Sequence, residues 1–173
     1  MKKIIYCFFA ALLFISCEVK VNTPAAEGSG GKIRNGIQLK ENGLKVEQAF
    51  LLFEDGKLMP ADNKVDVGQW VGLRLILNGW QKKEEKVFVD AEEQITTSDG
   101  KQLLDQKNLF KDYAEGLSSE DAKALTLSAR ITAIDKLYDY FTVTFRVWDK
   151  QSQKEISGSY KLYLKWFPKD LFL

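Results

Sequence analysis

Residues 140–164 read YFTVTFRVWDKQSQKEISGSYKLYL, and this stretch decides the fold. Apolar residues alternate with polar or aromatic ones in its first half, at Phe141, Val143, Phe145 and Val147. The alternation resumes in its second half, at Ile156, Tyr160, Leu162 and Leu164. A period of two indicates half-buried β-strands, and the polar run between the halves predicts a hairpin loop. The stretch is therefore predicted to be an antiparallel strand pair.

The same alternation recurs upstream in four further segments. The apolar positions of the first segment are Leu44, Val46, Phe50 and Leu52, with Gln48 as the exception. Those of the other three are Val71, Leu73, Leu75 and Leu77; then Val87, Val89, Ala91 and Ile95; and then Leu125, Leu127, Ala129, Ile131 and Ala133. Asp55-Gly56 and Asp99-Gly100 are hairpin-turn signals between strands. Many short strands without a long helical pattern predict an all-β fold, an antiparallel two-sheet β-sandwich.

Residues 140–164 also resemble the closing strand pair of immunoglobulin-like domains. The resemblance implies an immunoglobulin-like sandwich, although the Cys…Trp…Cys framework of antibody domains is absent from this sequence. A transthyretin-like sandwich and a lipocalin-like barrel satisfy the same alternation, so both stay open as alternatives. We place the folded domain at residues 37–173.

The N-terminus has the features of a secretory signal. Two lysines, Lys2 and Lys3, precede twelve apolar residues from Ile4 to Ile15. Twelve helical residues rise about 18 Å, which is short of the roughly 30 Å of a bilayer's hydrocarbon core. A charged start and a short apolar run therefore predict a signal peptide over residues 1–16 and not a membrane span.

The stretch Leu13-Phe14-Ile15-Ser16-Cys17 resembles the lipobox of bacterial lipoproteins. The resemblance implies cleavage before Cys17 and attachment of acyl chains to that cysteine, so the protein is expected to be anchored to a membrane through lipid on Cys17. Glu18 follows the cysteine in place of the Asp that retains some lipoproteins at the inner membrane, which implies the outer membrane. Residues 17–36 are rich in Gly, Ser, Ala and Asn and predict a flexible tether.

Composition excludes several classes of enzyme. The chain has no histidine, and its two cysteines are Cys7 and Cys17, so Ser-His-Asp and Cys-His catalysis and imidazole-bound zinc are excluded. The net charge is +1, which gives no electrostatic case for nucleic acid. The carboxylates of Asp90, Glu92 and Glu93 are expected to be solvated on one strand. We predict a non-enzymatic protein with no catalytic residue, metal or cofactor.

Aromatic residues supply the candidate binding face. The side of the 140–148 strand opposite the apolar one carries Tyr140, Thr142, Thr144, Arg146 and Trp148. Rings interleaved with hydroxyls and a guanidinium can anchor a protein partner or stack on a sugar. Trp80, in a predicted turn, is expected to be a second exposed ring.

Two hypotheses for function follow from this face. The first is a non-enzymatic protein-interaction module that docks another cell-envelope protein. The alternative is a carbohydrate-binding accessory lipoprotein of an outer-membrane glycan uptake system. Exposed coplanar rings would favour the sugar, and an apolar patch would favour the protein.

The sequence ends in WFPKDLFL, residues 166–173, which is unusually apolar. Pro168 is expected to stop the last strand. We predict that the tail folds back and closes one end of the core, and a partner surface is the alternative.

Overall fold

The computed structural model describes residues 32–165, and these form eleven β-strands and one short 3-10 helix, Asp121–Lys123. The signal peptide, Cys17, most of the predicted tether and the 166–173 tail lie outside the described residues. The strands are β1 (Gln38–Asn42), β2 (Lys45–Phe53), β3 (Lys64–Val65), β4 (Trp70–Asn78), β5 (Lys86–Val87), β6 (Val89–Thr97), β7 (Gln102–Gln106), β8 (Leu117–Ser118), β9 (Ala124–Arg130), β10 (Phe141–Asp149) and β11 (Glu155–Leu164).

The strands build two principal sheets. A six-stranded sheet has the order β1-β11-β10-β6-β7, with β3 pairing in parallel to the end of β11. A three-stranded antiparallel sheet has the order β2-β4-β9, and β5 and β8 form a small separate pair. The predicted all-β sandwich is confirmed. The lipocalin-like alternative is wrong, because both principal sheets end in edge strands. Among residues 32–165 there is no helix with the length and apolarity needed to cross a bilayer.

The predicted hairpin of residues 140–164 forms the centre of the larger sheet. β10 pairs with β11 on one side and with β6 on the other. Its inward side chains are fully or almost fully buried, as the alternation predicts: Phe141, Val143, Phe145 and Val147. They share one core with the inward side chains of β4 and β9. Burial of each such side chain contributes roughly 1.5–3 kcal/mol, so this alternation is a principal source of stability.

Gly158 of β11 allows its neighbours to approach closely. A Cβ at this position would lie 2.6 Å from Cζ of Phe145 and closer still to the carbonyl oxygen of Gln38. The Phe145 ring therefore lies over the backbone of β11, and β1 can pair beside it.

The predicted pattern of β2 is wrong in its second half. The pairing of β2 with β4 shifts register between Val46 and Gln48, which marks a β-bulge. An extra residue in one strand moves the following side chains to the opposite face. Ala49 and Leu51 are consequently buried in the core, while Phe50 faces the other side of the sheet.

Two buried asparagines connect the sheets. Asn35 donates through Nδ2 to Oδ1 of Asn63 at 2.8 Å and to the carbonyl of Pro60 at 3.1 Å, and its Oδ1 accepts from the N–H of Leu51 at 3.1 Å. Asn63 donates through Nδ2 to the carbonyls of Asn35 at 2.8 Å and Lys161 at 2.9 Å. Both asparagines have positive φ, which Asn adopts more readily than most residues. The pair joins β2 of one sheet to β11 of the other.

The start of the domain lies earlier than residue 37. Asn35 is buried in this network, and Ile33 bridges to Ala49 of β2. Residues 32–36 thus belong to the folded domain and not to the tether, because their backbone and side-chain hydrogen bonds are made to β2 and the 59–63 loop.

We expect Asn63→Ala to lower the free energy of unfolding by about 2–3 kcal/mol, because buried carbonyls of two chain segments lose their donor. Urea unfolding of the purified protein measures this. The matched control is Asn108→Ala, since Asn108 also has positive φ but is exposed. Equal losses in the two variants would mean that backbone conformation, and not the network, accounts for the effect.

Candidate functional site

The outer face of the six-stranded sheet contains the predicted row of side chains. Tyr140 precedes β10, and Thr142, Thr144, Arg146 and Trp148 follow on the side away from the core. Arg146 is exposed and the other four are half-buried. Tyr140 and Trp148 are eight residues apart, which corresponds to about 27 Å along a strand. The row therefore crosses most of the sheet along its central strand.

Arg146 is held by two carboxylates and a ring. Its Nε lies 2.7 Å from Oε2 of Glu155, and its Nη2 contacts the same oxygen. Its Nη1 lies 3.9 Å from Oε1 of Glu92. The guanidinium carbon is 4.9 Å from the centroid of Trp148, a cation–π distance. These contacts orient the guanidinium along the face of the sheet, between β6 and β11.

A depression of about 400 Å³ lies beside Arg146 on this face. Four strands and the residues after β7 contribute to it, and its polar lining residues are Glu92, Glu93, Gln94, Asp105, Lys107, Thr144, Arg146 and Ser157. The lining carries three carboxyl groups, those of Glu92, Glu93 and Asp105, and two cations. Because burial raises the pKa of Glu93 to about 8, this carboxyl is protonated at neutral pH, and the four remaining charges cancel. It offers hydroxyl, amide, carboxylate and guanidinium groups within a single concave surface.

At the Tyr140 end of the row, a lysine side chain lies over an aromatic ring, as the arginine does at the Trp148 end. Nζ of Lys161 lies 3.7 Å from the centroid of Tyr140, and the rings of Tyr140 and Tyr163 meet edge to face at 6.4 Å. Tyr163 is 37% exposed. Thr142, Thr144 and Ser159 follow toward the depression. The face thus has an aromatic group at each end with polar side chains between them.

Trp80 does not belong to this face, and the expectation of an exposed ring there is wrong. Trp80 lies after β4 of the other sheet, packs against the core and is only partly exposed. Its Nε1 donates to the carbonyl of Ala122 at 2.9 Å. The neighbouring Gln81 N–H donates to Asp149 at the end of β10. Trp80 therefore packs against the core beside the other sheet, apart from the row of side chains on β10.

Two of the three carboxylates that were expected to be solvated, those of Asp90 and Glu93, are buried. Glu93 is 1% exposed and is the cross-strand partner of the inward Phe145, so its side chain faces the core, while Glu92 faces outward with its partner Arg146. Its two carboxyl oxygens, the Tyr160 hydroxyl and Oε1 of Gln106 are buried without a hydrogen-bond partner in the described part of the chain. Burial raises the pKa of Glu93 to about 8, and the nearby Tyr160 hydroxyl partly opposes the shift.

The Glu93 cluster does not present two carboxyls on one face of the sheet. A raised pKa identifies candidate acids, but glycosidase-type chemistry needs two carboxyls flanking a substrate. Glu93 faces the core, and its neighbour Glu92 faces the opposite side of the sheet. Among residues 32–165 there is also no group of three or more side chains suited to hold a metal ion.

Comparison with known proteins identifies the fold and nothing finer. No family model matches the chain, and no curated protein matches it. Several solved structures do match, among them the crystal structure of the C-terminal domain of Wzt. That domain has 14% sequence identity and a TM-score of 0.50, over 79% of this chain and 83% of its own. The class of protein is therefore a β-sandwich domain. At this identity the likeness applies to the fold alone.

We expect stability to fall as the pH rises from about 4.5 to about 8. The folded protein keeps a proton on Glu93 over this range, whereas the unfolded chain releases it above its ordinary pKa of 4.5. Denaturant unfolding at several pH values should show the fall, which levels off above pH 8. Glu93→Gln should flatten this part of the profile, while Glu92→Gln, the outward neighbour, should leave it unchanged. A profile equally steep in Glu93→Gln would show that another group titrates.

Proposed function

We propose that this protein is a membrane-anchored lipoprotein of the cell envelope whose sandwich domain binds a glycan on the outer face of the six-stranded sheet. The observation that carries the proposal is the depression beside Arg146, which collects hydroxyl, amide and charged groups from four strands next to the Trp148 ring. Sugars present many hydroxyls that donate and accept hydrogen bonds, together with apolar C–H faces that pack on rings. Both kinds of group have counterparts on this face.

The character of the face favours a sugar over an apolar protein contact. The exposed large apolar side chains of the described residues are Ile33, Val67, Leu137 and Tyr163, and only Tyr163 lies in the site. Protein interfaces that bind tightly need a central buried cluster of apolar or aromatic anchors. The outer face of the six-stranded sheet offers rings only at its two ends. The described residues of this face form neither an apolar patch nor a coplanar pair of exposed rings, and the glycan is preferred because its hydroxyls match the polar lining of the depression.

The charges of the depression favour a glycan of low net charge. Arg146 is paired with Glu155 and Glu92, and Lys107 lies 3.9 Å from Asp105. An ionic ligand would have to compete with these pairs. A neutral sugar can instead accept from the cations and donate to the carboxylates while the pairs persist. Its affinity should then depend little on salt, because no net charge is neutralised on binding.

The second part of the proposed function is a lipid anchor on Cys17. Lipid on Cys17 would hold the domain at a membrane, since each buried methylene contributes about 0.8 kcal/mol and two or more chains give stable anchoring. The absence of Asp after Cys17 supports the outer membrane as the location. Enzymatic activity is not part of the proposal, and neither is a metal or cofactor. A domain held beside the membrane in this way would capture glycans for other components of the envelope.

Glycan binding is tested with labelled purified protein on a glycan array, followed by titration of the best ligand. Arg146→Ala should weaken binding at least about tenfold, which corresponds to the loss of one hydrogen bond to a charged group. The matched control is Arg130→Ala, since Arg130 is an exposed arginine at the end of the other sheet. Trp148→Ala should weaken binding as well. Binding of a specific envelope protein that Arg146→Ala abolishes, with no glycan bound, would support protein docking instead.

The anchor is tested separately by metabolic labelling with a fatty acid. Cys17→Ala should lose the label and move from the membrane fraction to the soluble fraction. Cys7→Ala is the matched control, because Cys7 lies within the predicted signal peptide and should leave labelling intact. Retention of the label in Cys17→Ala would refute the assigned lipid site.

A further inference from the structure

The outer face of the three-stranded sheet is buried although it points away from the core. Phe50 and Trp70 are each 8% exposed, and Arg74 is 4% exposed. Phe50 and Arg74 are cross-strand partners and so share one face, while their neighbours Leu51 and Leu73 point to the core. Neither Phe50 nor Trp70 belongs to the core cluster. The small sheet therefore has apolar side chains on both faces.

Trp70 provides the flat floor of this face. A Cβ on Gly72 would lie 2.7 Å from Cζ3 of Trp70, closer still to Cη2, and 3.0 Å from Cδ1 of Leu52. The indole thus lies flat across the backbone of its own strand, which the missing Cβ of Gly72 permits. A flat ring beside Leu52 and Phe50 forms a continuous apolar surface. Such a surface is stabilised when another chain segment covers it.

Polar groups lie within the same surface. Arg74 donates through Nη1 to the carbonyl of Ala124 at 3.1 Å, and burial lowers its pKa. Thr126, its cross-strand partner on β9, is also buried. A buried guanidinium is stable only among acceptors. The face therefore suits an occupant that combines apolar side chains with carbonyl or carboxylate oxygens.

The described chain leaves β11 at the edge of this face. The N–H of Lys165 donates to the carbonyl of Val65 at 2.9 Å, and its Nζ lies 3.1 Å from Oδ2 of Asp66. The same Nζ is 5.9 Å from the ring centroid of Phe53, the last residue of β2. Phe53 pairs with Val71, the residue after Trp70. Lys165, the last described residue, therefore lies at the Trp70 end of the three-stranded sheet.

We propose that residues 166–173, WFPKDLFL, cover the outer face of the three-stranded sheet. Five of the eight residues are apolar, namely Trp166, Phe167, Leu171, Phe172 and Leu173, and Asp170 supplies a carboxylate. Eight extended residues reach about 26 Å, and the face from Trp70 to Ile76 measures about 20 Å along β4. Residues 18–31, EVKVNTPAAEGSGG, contain no aromatic residue and match the apolar floor poorly.

This assignment separates the two outer faces of the sandwich. The face of the three-stranded sheet is closed by the protein's own chain, and the face of the six-stranded sheet is left for a ligand. The inference does not depend on glycan binding. It specifies which surface the apolar tail covers, and it explains why apolar side chains on a sheet of only three strands are withdrawn from water.

A double-mutant cycle tests the contact. Trp70→Ala is combined with a stop codon after Lys165, and unfolding equilibrium constants are measured in urea for the full chain and the three variants. Residues in contact do not act additively. The unfolding constant of the double variant should therefore be at least about tenfold smaller than the value expected if the two single changes acted additively. Truncation alone should lower the melting temperature and increase binding of an apolar dye.

The control cycle pairs Trp148→Ala with the same truncation, because Trp148 lies on the outer face of the other sheet. This pair should be additive. If Trp70→Ala unfolds the chain, Trp70→Phe and the tail substitution Phe172→Ala replace the two partners. Additive behaviour of Trp70 with the tail, or unchanged melting and dye binding after truncation, would overturn the proposal and assign the face to another segment or to a partner molecule.

Discussion

The alternation of side chains along β10 is the constraint on which the rest of this structure depends. Each residue that enters the core forces its neighbour outward, because successive side chains of a strand point to opposite faces. Phe141, Val143, Phe145 and Val147 fix the register of the central strand through burial. A slip of one residue would place four apolar side chains in water and Arg146 in the core. Stability of the core and geometry of the candidate site are thus set by the same strand.

Polar groups inside the sandwich differ in whether they have hydrogen-bond partners. The Asn35–Asn63 pair makes hydrogen bonds to four chain segments and connects the two sheets. Glu93 and Tyr160 are buried at least as deeply, but their side-chain oxygens, together with Oε1 of the half-buried Gln106, make no well-formed hydrogen bond in the described part of the chain. A satisfied buried network favours one arrangement of the chain, whereas unsatisfied groups lower stability. The first group therefore helps to join the sheets, and the second is expected to make the stability of the domain depend on pH through the raised pKa of Glu93.

The two outer faces of the sandwich have opposite characters. The face of the six-stranded sheet is half-exposed and polar, and its ion pairs compensate one another around Arg146. The face of the three-stranded sheet has Trp70 and Phe50 withdrawn from water. One surface can exchange hydrogen bonds with a soluble ligand, and the other is stable only when covered. This difference is the reason for assigning ligand binding to one sheet and intrachain packing to the other.

The sequence by itself determined the fold class, the central hairpin and the outward row that contains Tyr140, Arg146 and Trp148. These features follow from a local period of two, which can be read without knowledge of the rest of the chain. The bulge in β2, the inward position of Glu93 and the withdrawal of Trp80 were not predictable in this way. An inserted residue changes the period only through pairing with β4, and the burial of Glu93 and the partial burial of Trp80 depend on elements distant in sequence. The depression beside Arg146 likewise exists only when four strands and the residues after β7 are brought together. Side-chain direction is a local property of a strand, whereas burial and concavity are properties of the packed sheets, and only the tertiary structure decides them.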